Sequence, residues 1–178
     1  EIAKGNYFFL LDSDDYLPEN TISYIKDVIN KHCPDIIMPA YNNVIGSAEI
    51  LVKLPLEDGL YNKHSFFKSV KYFPTKPQLI YKNKSVKFNA AVKCGEVYAF
   101  TISYLQYAQT IYVLNTPCYN YFQRPNSATS KCNYKNDSTV IDAIEPIYQH
   151  GKDLSKYSSF IVTAFKLYMS FTYNKYIR

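Results

Sequence analysis

Apolar and polar positions follow several distinct periods along this chain. The clearest stretch is Tyr7-Phe8-Phe9-Leu10-Leu11, an uninterrupted apolar run that ends at Asp12-Ser13-Asp14-Asp15. A run that is apolar on both faces predicts a strand covered on both sides, as in the centre of a parallel sheet. Pro18 marks a helix start, and Ile22, Ile25, Val28 and Ile29 recur behind it at helical spacing. Residues 35–39, Asp-Ile-Ile-Met-Pro, predict the next strand. The opening therefore reads strand, acidic turn, helix, strand, which is one βαβ unit.

Further on the periods are mixed. Residues 48–54 predict an edge strand, and residues 60–72 a short helix with Phe66, Phe67 and Val70 turned inward. Residues 74–87 are basic and irregular. A helix over 96–109 would bury Phe100, Ile102 and Leu105, and short strands over 110–115 and 118–123 flank Thr116-Pro117. From Asp137 on, two helices are expected, the second carrying Phe160, Ile161, Ala164, Phe165, Leu167, Tyr168 and Phe171 on a broad apolar face. A central parallel strand needs a bonded neighbour on each side. Residues 35–39 supply one, and strands preceding Glu1 are expected to supply the other.

Composition narrows the classes. With 178 residues, 47% hydrophobic and 20% charged, the chain has the balance of one folded domain rather than of a disordered segment. Its 19 Tyr and 11 Phe suit a sugar-facing cleft or a tyrosine-rich core equally. The net charge of +5 conceals an asymmetry: residues 1–60 hold ten acidic and four basic side chains, residues 61–178 five acidic and sixteen basic ones. Between Lys63 and Lys135 Glu96 is the sole acid. Such a field attracts a diphosphate, a nucleic acid or an acidic membrane surface, or else is a solvated face. No nucleic-acid-binding motif accompanies it. Cys33, Cys94, Cys118 and Cys132 have no paired metal or redox spacing, and no leader or membrane-spanning run is present. Reduced thiols and a cytoplasmic location follow as the expectation.

The chemistry concentrates in the acidic turn. Carboxylates crowded at the carboxyl end of a buried strand repel one another, and ligands of open α/β sheets bind at that edge. Hard divalent cations take such oxygen ligands, one or two carboxylates completed by substrate phosphates. The plain rival is a polar turn whose aspartates cap the next helix. An apolar strand ending in Asp-x-Asp also opens the haloacid-dehalogenase-like phosphatases, in which the first Asp is a nucleophile. Their small turn residue is absent here, where Asp15-Tyr16 follows, and the later acidic pair Glu57-Asp58 sits in a turn flanked by Pro55 and Gly59.

Residues 3–21, with Leu11-Asp12-Ser13-Asp14-Asp15-Tyr16-Leu17-Pro18 at their centre, resemble the DXD segment of glycosyltransferase family 2, whose fold is called GT-A. Gly95-Glu96-Val97 is similar to that family's Gly-Glu-Asp motif at the head of an acceptor-side helix. Residues 111–129, including Arg124-Pro125-Asn126-Ser127, resemble the strand pair and Arg-x-Asn-Ser tail that follow. The three landmarks fall in family order across residues 1–130, leaving 131–178 as a helical extension. The resemblance implies a partial GT-A-like α/β fold: a Rossmann-like mixed sheet with flanking helices and a helical C-terminus, lacking the first nucleotide-binding part.

It also implies roles. Asp12 would face the ribose and the metal, and Asp14 would be the main ligand of Mn²⁺ or Mg²⁺. Apart from the resemblance, Arg124, the lone arginine of the basic region, is a candidate to hold a phosphate or diphosphate by its planar fork, the alternative being a surface ion pair. The reaction would be inverting transfer from a nucleotide sugar to a glycan or lipid-linked acceptor in cell-surface polysaccharide synthesis. One departure bears on chemistry. Val97 stands where the family carries its usual basic Asp, and valine accepts no proton; Glu96 beside it is the candidate base, the alternatives being a carboxylate elsewhere, or impaired catalysis with Glu96 a helix-start acid. A non-catalytic relative that binds glycans or a partner is the alternative. The basic, apolar helix over 155–178 would dock on the domain or touch a membrane surface. A chain of this extent is expected to turn over little donor by itself.

Overall fold

The computed structural model describes residues 3–70, 78–93 and 95–124, together with Thr139 and Asp142. The two C-terminal helices, the 155–178 membrane contact and the Asn-Ser part of the tail lie outside the described residues. The elements are β1 (Tyr7–Phe9), α1 (Thr21–His32), β2 (Ile36–Ile45), β3 (Ala48–Val52), β4 (Gly59–Asn62), α2 (Lys63–Ser69), β5 (Ile80–Lys82), α3 (Glu96–Leu105) and β6 (Thr110–Phe122). They form a mixed α/β domain on a six-stranded sheet ordered β1-β5-β2-β6-β4, with β3 hydrogen-bonded to the outer half of β2. Among the described residues β2 and β6 pair in parallel and the other ladders are antiparallel.

The doubly buried strand is β2, not β1. Alternate β2 side chains enter two cores, as the two-residue period of a strand requires. Ile36 and Met38 join Phe66, Tyr81, Phe100, Tyr104 and Val113 in the cluster that contains α3. Ile37 joins Ile25, Val28, Ile80, Leu114 and Cys118 in the cluster that contains α1. Of the run at residues 7–11, Tyr7–Phe9 form a half-buried strand that ends the sheet order among the described residues, and the strand over 35–39 is not its bonded neighbour as expected. Its partner is the antiparallel β5, which intervenes between β1 and β2. β1 and β2 therefore run the same way, and the βαβ unit spans one intervening strand.

Two further expectations change. The stretch read as irregular contains β5, which is only three residues long yet places Tyr81 with no exposed surface. A strand that short carries too little alternation to declare itself. The two strands expected around Thr116-Pro117 are one. In β6 the register opposite β2 jumps from Pro39↔Leu114 to Ala40↔Pro117, so the predicted loop is a bulge inside a continuous strand. The helix expected over 60–72 is preceded by β4 and confined to Lys63–Ser69, because Asn62 caps it by accepting from the Ser65 backbone N–H at 2.8 Å. The edge strand β3 and the helices around Ile25 and Phe100 form as expected, except that α3 ends at Leu105 rather than 109 and Ile22 of α1 faces solvent.

Asp35 joins the elements together. Its carboxylate accepts from the backbone N–H of Gln109 at 2.6 Å and of Thr110 at 3.2 Å, and pairs with the Lys84 ammonium at 2.7 Å. Burial by itself would raise its pKa, but Lys84 and the two amides outweigh that and hold it below the usual range. A depressed carboxylate stabilises the fold above its unfolded pKa and loses that contribution as pH falls through the folded value. Asp35→Asn should therefore cost about 2 kcal/mol at pH 7. In urea titrations the gap to wild type should narrow below about pH 4. A gap that stays constant down to pH 2 would contradict this assignment.

Candidate functional site

The acidic turn leaves β1 and is folded back on β6 by its own side chains. The Asp15 amide closes the turn on the Asp12 carbonyl at 3.1 Å. Tyr16 and Asn120 exchange backbone hydrogen bonds at 3.3 and 2.9 Å, an isolated bridge that pins the chain to the carboxyl half of β6. The Asp15 carboxylate accepts from the Tyr119 hydroxyl at 2.6 Å and from the Phe122 amide at 2.8 Å. The same hydroxyl accepts from the Asp12 amide at 3.2 Å. Burial first, and then its bond to Asp15, raise the Tyr119 pKa, so the phenol stays protonated and keeps donating. Asp15 is thus a latch between the turn and β6.

No aspartate of the turn caps α1. Its N-cap is Asn20, in the left-handed region at φ 61°, without a side-chain cap bond. The plain polar-cap reading therefore fails, and two carboxylates are left for other work. Asp14 forms an ion pair with Arg124, Oδ2 to Nε at 2.6 Å, the arginine side chain being 53% exposed. Asp12 is exposed, and its pKa is raised, first by partial burial and then by Asp15, Asp14 and Glu96. The influence of Glu96 on Asp12 means that the first residue of α3 shares the electrostatic field of the turn. Gly95, at φ 75°, makes the left-handed entry that lets α3 begin there.

The fold thus brings Arg124 to Asp14 across more than a hundred positions of sequence, and Glu96 adds the weakest of the repulsions that raise the Asp12 pKa. The fold also adds Tyr119 and Tyr121, read from sequence chiefly as core. Tyr119 is fully buried and also bonds the turn. Tyr121 is half-buried, with a pKa raised by burial and then by Asp15, Asp12 and Asp14. Their alternation with Asn120, which faces Asn42 at 2.9 Å, was the available signal. Glu57-Asp58 lies elsewhere: Asp58 accepts from the Asn115 amide, at the β4 side of β6. The phosphatase reading loses its second acidic pair.

Among the described residues no three His, Cys, Asp or Glu side chains converge as a ready metal cage. Asp12 and Asp14 offer two carboxylates. Burial chiefly, then Asp15 and Asp14, raise the Asp12 pKa; a hard cation relieves such crowding, and an oxygen-only pair suits Mg²⁺ or Mn²⁺ supplemented by phosphate oxygens. Among the described residues no helix is long and apolar enough to cross a membrane, and Cys33 and Cys118 are free thiols.

A six-stranded mixed sheet with flanking helices, its parallel strands ending beside an acidic turn, is a glycosyltransferase-like fold. The chain is similar to S. aureus TarS. TarS 1-349 in complex with UDP-GlcNAc superposes with a TM-score of 0.61 at 19% identity, over 80% of this chain and 43% of that one. The complex with UDP gives 0.57 at 17% identity, over 85% and 49%, and TarS 1-349 alone 0.56 at 17%, over 85% and 50%. The chain spans no more than half the length of these structures, and at such identity the likeness is one of fold. No family model and no curated protein matches the sequence.

Proposed function

We propose that this chain is the acceptor-side portion of an inverting, metal-dependent glycosyltransferase. It would use a nucleotide-sugar donor and a glycan or lipid-linked acceptor in cell-surface polysaccharide synthesis. The observation that supports the reading is the Asp14–Arg124 pair beside Asp12, in an acidic turn at the carboxyl edge of a glycosyltransferase-like sheet. The uridine nucleotides bound by TarS make UDP-sugars the first donors to try.

In this reading Asp12 and Asp14 hold Mn²⁺ or Mg²⁺ through carboxylate oxygens. The cation, when bound, supplies charge neutralisation for the departing diphosphate. Arg124 orients that diphosphate with its planar fork. Glu96 takes the proton of the acceptor hydroxyl as its oxygen bonds the anomeric carbon. The bond from that carbon to phosphate breaks, and its electron pair leaves with the nucleoside diphosphate. Asp15 and Tyr119 keep the turn in register with β6, so that Asp14 and Arg124 remain within reach of each other.

Arg124 occupies one oxygen of Asp14, and so competes with a cation that arrives without phosphate. Arg124→Ala should therefore bind free Mn²⁺ about threefold more tightly while binding UDP about tenfold more weakly. Calorimetry with each ligand measures both. Equal shifts of the same sign would remove Arg124 from the diphosphate site.

A non-catalytic binding relative is the second reading, favoured by Val97 beside Glu96. Release of UDP from UDP-sugars by the protein of the complete reading frame separates the two. Donor turnover abolished by Glu96→Gln supports the enzyme, whereas undiminished glycan binding without any turnover supports the binder.

A further inference from the structure

Between β5 and β3, among the described residues, one edge of β2 has no ladder. β5 bonds Ile36 and Ile37, β3 bonds residues from Tyr41 onward, and Met38, Pro39 and Ala40 lie between them. On the other side of β2 the ladder breaks over the same stretch, at the bulge of β6. The fork encloses a recess of about 30 Å³, walled by Met38, Ala40, Leu54 and Val113. Two amides line it. Gln78 is only 1% exposed, yet both its Nε2 and its Oε1 lack a partner, and so does Asn115 Oδ1. The Asn115 orientation is set from behind: its Nδ2 donates to the Leu56 carbonyl at 2.8 Å, which leaves Oδ1 as the unpartnered atom.

Buried amides left unpaired cost stability, and a native fold keeps them where a ligand or water completes them. The unpartnered atoms are one donor group and two acceptors, and Tyr41 and Lys53 also line the recess. A phosphate or carboxylate would meet the two acceptor oxygens with repulsion, and a cation, beside Lys53, would be desolvated without a counter-charge. A hydroxyl both donates and accepts, and a volume that exceeds one water admits one such group but no whole sugar ring.

Strand register locates the recess. Phe9, Ile80, Ile37 and Tyr112 stand side by side across β1, β5, β2 and β6. Asp12 follows Phe9 by three residues, Gln78 precedes Ile80 by two on an antiparallel strand, and Met38 to Ala40 follow Ile37. All lie beyond the same row, at the edge that carries the acidic turn. Met38, Leu54 and Val113 belong to the core cluster under α3, the helix headed by Glu96. The geometry points to a subsite in which Gln78 and Asn115 receive one hydroxyl of a neutral sugar, the acceptor of the reaction proposed above. This inference rests on that reading for the acceptor role, and on the orphaned amides for the site itself.

The test uses ¹⁵N-labelled protein of the complete reading frame. The Gln78 side-chain NH₂ signals are assigned through their disappearance in Gln78→Leu. Glucose and N-acetylglucosamine, added at millimolar concentrations, should shift that signal pair, whereas inorganic phosphate should not. Gln78→Leu should weaken sugar binding about tenfold. Its Tm should be unchanged or raised by about 2–4 °C, since an unpaired amide is removed, so weaker binding would not reflect unfolding. Gln78 signals that contact water alone at saturating sugar, or sugar affinity equal in wild type and variant, would overturn the subsite. UDP with Mn²⁺ is titrated in parallel. If UDP binds while sugars leave Gln78 unmoved, the subsite falls and the enzyme reading stands. If sugars shift Gln78 while UDP does not bind, the site stands as a sugar site and its acceptor role falls.

Discussion

Asp14→Ala, made in the complete reading frame, should lower kcat/KM for sugar transfer about 10²–10³-fold, or about 3–4 kcal/mol of transition-state stabilisation. The expectation follows from position. Asp12 and Asp14 are the two carboxylates of the turn not consumed in holding it, since Asp15 is spent on Tyr119 and Phe122. The ion pair of Asp14 with Arg124 is half-exposed, and such pairs contribute little to stability. The variant should therefore keep its Tm to within about 3 °C. Raising Mn²⁺ should recover part of the activity of Asp12→Asn and none of that of Asp14→Ala, if Asp14 is the principal ligand. Turnover within about threefold of wild type, at equal Tm, would remove the turn from the chemistry.

Phe100→Ala should cost about 3–5 kcal/mol of unfolding free energy. Phe100 is almost wholly buried at the centre of an aromatic cluster. Its ring stacks on Phe88 at 4.4 Å and meets Tyr81 edge-on at 5.1 Å, with Phe8 at 5.9 Å and Tyr104 at 6.0 Å. Truncation leaves a cavity that rings held on β1, on β5 and in the loop after β5 cannot collapse to fill. Phe8 lies on β1, directly before the acidic turn, so the same change should loosen the turn and reduce UDP affinity. Phe100→Leu should cost about 1.5 kcal/mol. Urea unfolding with unchanged m-values measures both, and a loss below about 1 kcal/mol for Phe100→Ala would mean that this cluster does not hold α3 to the sheet.

These two residues mark how far sequence reading reaches. The acidic turn was legible because three carboxylates in four residues after an apolar run form a local signal. The inward face of α3 was legible because helical spacing is local too. Asp35, Gln78 and Tyr119 were not. Each is ordinary in its own window, and each acquires its role from partners far away in sequence, such as Gln109 and Lys84 for Asp35 or Asp15 for Tyr119. The misplacement of β1 has the same origin. An apolar run reports how much a strand can bury, not which strand lies beside it, and the three-residue β5 that separates β1 from β2 carries almost no period of its own.

What the chain determined by itself is therefore an outline: the longer helices and strands, which faces are apolar, and that negative charge gathers at one turn. Those properties depend on neighbours a few residues apart, through backbone preference and side-chain spacing. Only the tertiary structure decided that β2 is the buried spine, that Arg124 reaches Asp14, and that Glu96 enters the field of Asp12. It also decided that two amides are stranded beside a forked sheet. Such facts arise from pairing between distant segments, where packing and the need to satisfy buried polar groups select one arrangement among many that local preference allows.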